Sequence, residues 1–126
     1  MPESLLLDTH VFVWWRLNEP RLKADARATI AGAEVVFVSV ASAWEAAIKL
    51  GLGKLSFPES FEAAVLASRF EKLSIAFRHA AAVATLPRHH SDPFDRMLIA
   101  QCLCERLVLV TRDRKLAAYG IDILWA

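Results

Sequence analysis

Leu107-Val108-Leu109-Val110-Thr111 (LVLVT) is the stretch from which the fold is read. It is β-branched at every second position and carries no charge. A strand with no polar face must be covered on both sides, the situation of a parallel sheet between helical layers. Val35–Ser39 (VVFVS) repeats the pattern, and Ser4–Leu7 (SLLL) is a shorter version near the start. Working outward, Phe94–Glu105 is helical and Arg114–Tyr119 is a short helix closed by Gly120, before a last strand at Ile121–Trp125. In the other direction Arg78–Leu86 is an Ala-rich helix ending before Pro87, and Leu73–Ala76 is a short strand. Pro58–Phe70 is a helix with proline in its first turn. Ala41–Leu50 stops at Gly51, Leu22–Ala31 ends at Gly32, and Val11–Leu17 opens the first helix. Strands alternating with helices predict an α/β fold with a short parallel sheet and helices on both faces.

The 126 residues, 56% hydrophobic and 23% charged, are enough for one domain spanning 1–126 and exclude a disordered or collagen-like chain. No charge-free stretch reaches the ~18 residues of a membrane helix. No basic head or cleavage site marks a signal peptide, so a cytoplasmic location without membrane attachment is expected. The net charge of +1 gives no general pull toward nucleic acid. Residues 1–63 carry a net −2 and residues 64–126 a net +3, so a polyanion would meet its positive charge in the second half. Cys102 and Cys104 stand two apart in an apolar run and are read as buried free thiols.

In parallel sheets, ligands bind beyond the carboxyl ends of the strands, so the polar residues that follow each strand matter most. Asp8 follows SLLL and Asp113 follows LVLVT. Glu45 lies just past VVFVS, among Val40, Ala41, Ala43, Trp44, Ala46, Ala47 and Ile48. Asp92 and Asp95 flank Pro93-Phe94 at the start of a helix. Each has an ordinary explanation. Asp8, Asp92 and Asp113 can cap helices, Ser42 and Glu45 fit a capping box, and Asp95 suits a helix first turn. Together, Asp8, Glu45, Asp95 and Asp113 would crowd one sheet edge. Such carboxylates repel one another unless a cation intervenes, and an oxygen-only set suits Mg²⁺ or Mn²⁺ better than zinc. That chemistry polarises a phosphodiester and activates water. No phosphate-binding glycine loop or nucleophile elbow is present. His79 reads as a partly buried structural histidine, and His89 and His90 as solvated or RNA-facing loop residues.

The segments LLLDTH, SVASAWEAAIK, HHSDPFDRMLIAQ and LVTRD, in this order, resemble PIN-domain proteins, in particular VapC-type ribonuclease toxins of bacterial toxin–antitoxin pairs. The resemblance covers nearly the whole chain. It implies a three-layer α/β/α PIN-like (Rossmann-like) domain and a Mg²⁺- or Mn²⁺-dependent endoribonuclease, usually a homodimer inhibited by a small cognate antitoxin. Asp8, Glu45, Asp95 and Asp113 fall on the family's acidic, metal-binding and catalytic positions. Thr111 falls on its frequent hydroxyl position, and Asp92 on a feature of part of the family. Arg88, Arg96, Arg112, Arg114 and Lys115 are candidate contacts to the RNA backbone, or ordinary solvated charges. The apolar run Val11–Trp15, with Trp44, Phe57, Phe61 and Phe70 in the same half, is read either as core or as an antitoxin or dimer surface. Two other readings remain: an RNA-processing nuclease of the same fold, and a catalytically silent binding module.

Overall fold

The computed structural model describes residues 3–126. Five strands, β1 (Ser4–Leu7), β2 (Val35–Ser39), β3 (Glu71–Leu73), β4 (Val108–Thr111) and β5 (Ile123–Trp125), form one sheet in the order β3-β2-β1-β4-β5, and every pairing is parallel. The helices are α1 (Thr9–Arg16), α2 (Ala24–Gly32), α3 (Val40–Gly51), α4 (Phe61–Ala67), α5 (Phe77–Thr85) and α6 (Pro93–Glu105), with a 3₁₀ turn at Arg114–Tyr119. None among the described residues is long and apolar enough to cross a membrane.

Alternate side chains of β1 serve opposite layers, as the pleat requires. Leu5 and Leu7 pack with Val36, Val38 and Val110 against Val11, Phe12, Ala26, Ile30 and Val65 of α1, α2 and α4. Leu6 turns the other way and packs with Leu109, Leu98, Ile99 and Leu116. All three leucines of β1 are fully buried. The chain builds outward from β1 to β2 and β3, then returns to the other side of β1 for β4 and β5. The order therefore reverses between β1 and β4, and that is where a doubly covered sheet opens a crevice.

The differences from the sequence reading have identifiable causes. The third strand is Glu71–Leu73 and not Leu73–Ala76, because it is an edge strand and carries Glu71 and Lys72 on its exposed positions. The helix expected over Pro58–Phe70 starts only after Ser60, whose hydroxyl accepts from Ala63 N–H. Ser39, not Ser42, caps α3, so no Ser42–Glu45 capping box forms. Cys102 is buried, but Cys104 is exposed. Phe12 is fully buried, while Trp14 and Trp15 are half-buried against the same core. Their outer faces are covered by guanidinium groups, Arg21 and Arg112 over Trp14 and Arg27 over Trp15. That run is packed structure, and the most exposed large apolar side chains are instead Phe77, Leu52, Trp44 and Leu66.

His79 is buried as a helix-start residue. Its Nδ1 accepts from the Ala76 N–H at 2.9 Å, and its Nε2 faces Glu105 Oε2 at 2.8 Å. Arg96, one of the five cations read as RNA contacts, is turned inward and buried. Its guanidinium donates to the carbonyls of Pro87 (2.8 Å), Val83 (3.3 Å) and Leu86 (3.4 Å), and to the Tyr119 hydroxyl (3.0 Å). It thus closes the carboxyl end of α5, where backbone carbonyls lack helical partners. Replacing it with Met should leave those carbonyls buried and unpaired, and should cost roughly 3 kcal/mol in urea denaturation. Arg114→Gln, at an exposed position, should stay within about 0.5 kcal/mol of the parent.

Candidate metal centre

The reversal between β1 and β4 brings the acids together. Asp8 is the residue after β1, and its own N–H extends the sheet by donating to Val110 carbonyl at 3.0 Å. Its carboxylate is pinned at both oxygens. Oδ1 accepts from Val11 N–H (2.8 Å), capping α1, and Oδ2 accepts from the Thr111 hydroxyl (2.6 Å). The same Thr111 oxygen accepts from Asp113 N–H at 3.1 Å. Thr111 therefore ties the acid after β1 to the acid after β4. Asp8 thus caps α1 with one oxygen and takes the Thr111 bond with the other.

Glu45 is one and a half turns into α3 and is buried. The Thr9 hydroxyl donates to its Oε1 at 2.6 Å and lies 2.9 Å from Ser42 Oγ. Lys49, one turn further along α3, reaches its Oε2 at 3.0 Å. Thr9 is the first residue of α1 and follows Asp8 directly, so Asp8 and the Glu45 that Thr9 holds share one frame at the start of that helix.

Asp95 lies in the first turn of α6. Asp92 is the cap of that helix, accepting from Phe94 N–H at 2.9 Å and Asp95 N–H at 3.0 Å. The Asp95 carboxyl is pushed up to about 7, first by burial and then by the negative charges of Asp92, Asp8, Glu45 and Asp113. Burial also raises Asp8 above the usual carboxylate range, opposed by its bonds from Thr111 and Val11. The negative charges of four neighbouring acids thus bear on Asp95, and that of Glu45 also bears on Asp8.

His90 and Tyr119 join the site although the sequence reading did not place them there. The Tyr119 hydroxyl receives Arg96 Nη1 at 3.0 Å and the His90 N–H at 3.3 Å. Its single proton is then free to go to His90 Nδ1, 2.8 Å away. This leaves the His90 proton on Nε2, which faces Asp95 Oδ2 at 3.5 Å. That separation is longer than a formed hydrogen bond. His90 is half-buried rather than solvated, and His89 is exposed and packs edge-on to Tyr119.

Among the described residues, no three His, Cys, Asp or Glu side chains come together closely enough to hold a metal ion as they stand. Thr111, Thr9 and Lys49 hold the carboxylates of Asp8 and Glu45 in place around an open edge. The donor set fits a hard divalent cation nonetheless. It is all oxygen, and its members destabilise one another without positive charge. Of the other candidates, Arg88, Arg112, Arg114 and Lys115 are exposed. Arg112 donates to the Arg21 carbonyl at 2.6 Å, and Arg114 lies 4.1 Å over the Trp125 ring.

Comparison with known proteins agrees with this architecture. The solved structures most like it include the VapBC2 complex of Rickettsia felis bound to a DNA fragment from its promoter, with TM-score 0.72, 15% identity, and coverage of 97% of this chain and 98% of that one. DNA-bound VapBC from Salmonella typhimurium matches with TM-score 0.71, 22% identity, and coverage of 99% and 98%. At these identities the likeness is one of fold. In sequence, the chain is 31% identical over 124 residues to Ribonuclease VapC22 of Mycobacterium tuberculosis, covering 92% of each. Residues 5–122 match the PIN domain. A match of that extent means that the chain belongs to the PIN-domain family and, within it, to the VapC-type proteins.

Proposed function

We propose that residues 1–126 form a single PIN domain acting as a divalent-metal-dependent endoribonuclease, the toxin of a toxin–antitoxin pair. Its substrate is RNA, its partner is a small cognate antitoxin, its working form is a homodimer, and its compartment is the cytoplasm. The observation that carries the reading is the shared negative charge of Asp8, Glu45, Asp92 and Asp113 on the half-buried Asp95. A folded chain retains such a cost where a cation relieves it. The intact set of acids also favours an active enzyme over a silent binding module.

Asp8, Glu45, Asp95 and Asp113 would hold the ion. Bound Mg²⁺ or Mn²⁺ supplies positive charge to the scissile phosphate and lowers the pKa of an attacking water. The protein's own contribution is orientation. Thr111 fixes the Asp8 carboxylate and the loop of Asp113, and Thr9 fixes Glu45. Asp95, protonated without the ion, would join the set as a carboxylate where positive charge answers the repulsion. His90, its tautomer set by Tyr119, presents an N–H to the Asp95 carboxylate. Asp92 serves α6 as its cap, and exposed Arg88, Arg112, Arg114 and Lys115 offer backbone contacts that position RNA without reading its sequence.

RNA cleavage by purified protein freed of antitoxin should stop in EDTA and return with Mg²⁺ or Mn²⁺; activity that persists under thorough chelation would refute the metal requirement. Asp95→Asn should lower cleavage by more than about 100-fold with the fold intact, since even supporting contacts of a metal site cost 10–100-fold. Asp92→Asn should stay within about twofold, because Asn caps nearly as well as Asp.

The raised Asp95 value also sets a stability profile. In metal-free folded protein the carboxyl stays protonated to about pH 7, whereas in the unfolded chain it ionises near its ordinary value of 3.8. Between these limits the unfolded state binds fewer protons, so stability falls as pH rises from about 4 to 7. Asp95→Asn should therefore stabilise the metal-free protein by roughly 2–4 kcal/mol at pH 8 and by almost nothing near pH 4. Urea denaturation of both proteins in EDTA at the two pH values measures this.

A further inference from the structure

A cavity of about 180 Å³ lies against Thr9 and is also lined by His10, Val13, Lys49, Lys54 and Leu55. Thr9 is the residue that holds Glu45, so this cavity shares a wall with the acidic edge. Lys49 Nζ lies 3.0 Å from Glu45 Oε2 and 3.4 Å from His10 Nε2. Lys54 is brought beside it by a turn closed at the end of α3. Gly53 adopts a φ of 70°, and Lys54 N–H donates to the Lys49 carbonyl at 2.8 Å. A φ in that region is costly for any residue with a Cβ, so glycine is what allows the chain to fold back here. Lys54 has no ion-pair partner among the described residues. Both lysines complement the carboxyl end of α3, but a fully solvated position would do that equally well. His10 comes from a different element and has no such role.

The charge arrangement asks for an anion. The acidic edge that adjoins Thr9 repels an approaching polyanion, while the cavity that Thr9 lines offers one unpaired ammonium, one ammonium shared with Glu45 and an imidazole. We propose that this cavity is a phosphate subsite of the RNA strand. It takes the non-bridging oxygens of a backbone phosphate neighbouring the one that is cut. Lys54 and His10 are the direct contacts, and Lys49 divides its donors between that phosphate and Glu45. None of the five cations picked out in the sequence lines it. The proposal rests on the nuclease reading above and adds to it the path of the strand.

The test is binding of a fluorescein-labelled single-stranded oligoribonucleotide, followed by anisotropy in EDTA so that no strand is cut, over a range of KCl concentrations. Each phosphate contact to a single strand contributes about 0.7 to the slope of log affinity against log salt. Lys54→Gln should reduce that slope by about 0.7 and weaken binding about fivefold at 0.1 M salt. Lys54→Arg should restore both. Arg106→Gln, before β4 at the opposite end of the sheet, should change neither. With Mg²⁺ present, Lys54→Gln should raise KM and leave kcat within about twofold. A Lys54→Gln protein that binds with the parent's slope and affinity overturns the subsite, and leaves the nuclease reading standing if the parent cleaves RNA. A parent protein that neither binds nor cleaves RNA brings down both.

Discussion

A carboxylate leaves water only at a cost of several kcal/mol unless something answers its charge. This fold brings Asp8, Glu45 and Asp95 to one sheet edge, the first two buried and the third half-buried. Much of the surrounding structure can be understood as support for that arrangement. Hydroxyls at Thr9 and Thr111 and backbone N–H groups at Val11 and Asp113 hold the acids or the loops that carry them. They do so without neutralising them, because a hydroxyl donates a hydrogen bond but no charge. Among the described residues Lys49 makes an ion pair with one of these acids, at Glu45 Oε2, and reaches none of the others. The result is a site held in shape but left negative.

Two layers of the molecule meet at this edge. The α1 side contributes Asp8 and Thr9 from the first loop, whose position follows from the fully buried β1. The α6 side contributes Asp95, and it is anchored through an unusually polar piece of interior. Arg96 closes α5 and orders Tyr119, and Tyr119 in turn orients His90 toward Asp95. A guanidinium that looks like a surface charge in the sequence thus links a helix end to the chemistry. On the other flank, arginines lie flat on Trp14 and Trp15, which lets a chain with four tryptophans keep large rings near the surface without leaving their faces bare.

Asp8, Glu45 and Asp113 stood out in the sequence because each follows a strand by a short, countable interval, and a parallel sheet sends every strand's carboxyl end the same way; Asp95 follows no strand and stood out only as an acid in the first turn of α6. Glu45 was legible for a further reason, since a charge in a helix of alanines needs an explanation. The partners were not legible. Thr9, His90 and Tyr119 are common residues whose role depends on contacts across up to 36 positions of chain, such as Thr9 to Glu45. Arg96 was misread because sequence does not distinguish a charge facing water from one facing four acceptors. The edge strand was placed two residues late because its charged positions hide the strand pattern. The tryptophan run stayed open between core and surface in the sequence, since one of the arginines that cover Trp14 lies as far away as position 112.

The bond between Thr111 and Asp8 spans 103 positions, and the strands that carry them are central neighbours. Pairing of this range is slow to form, because the loop it closes is nearly the whole chain. It also has a consequence for synthesis. A growing polypeptide that has not yet reached β4 lacks both the strand that completes the crevice and the last acid beyond it. Until then the Asp8 carboxylate lacks its Thr111 donor, so the acidic edge takes its final shape only at the end of synthesis.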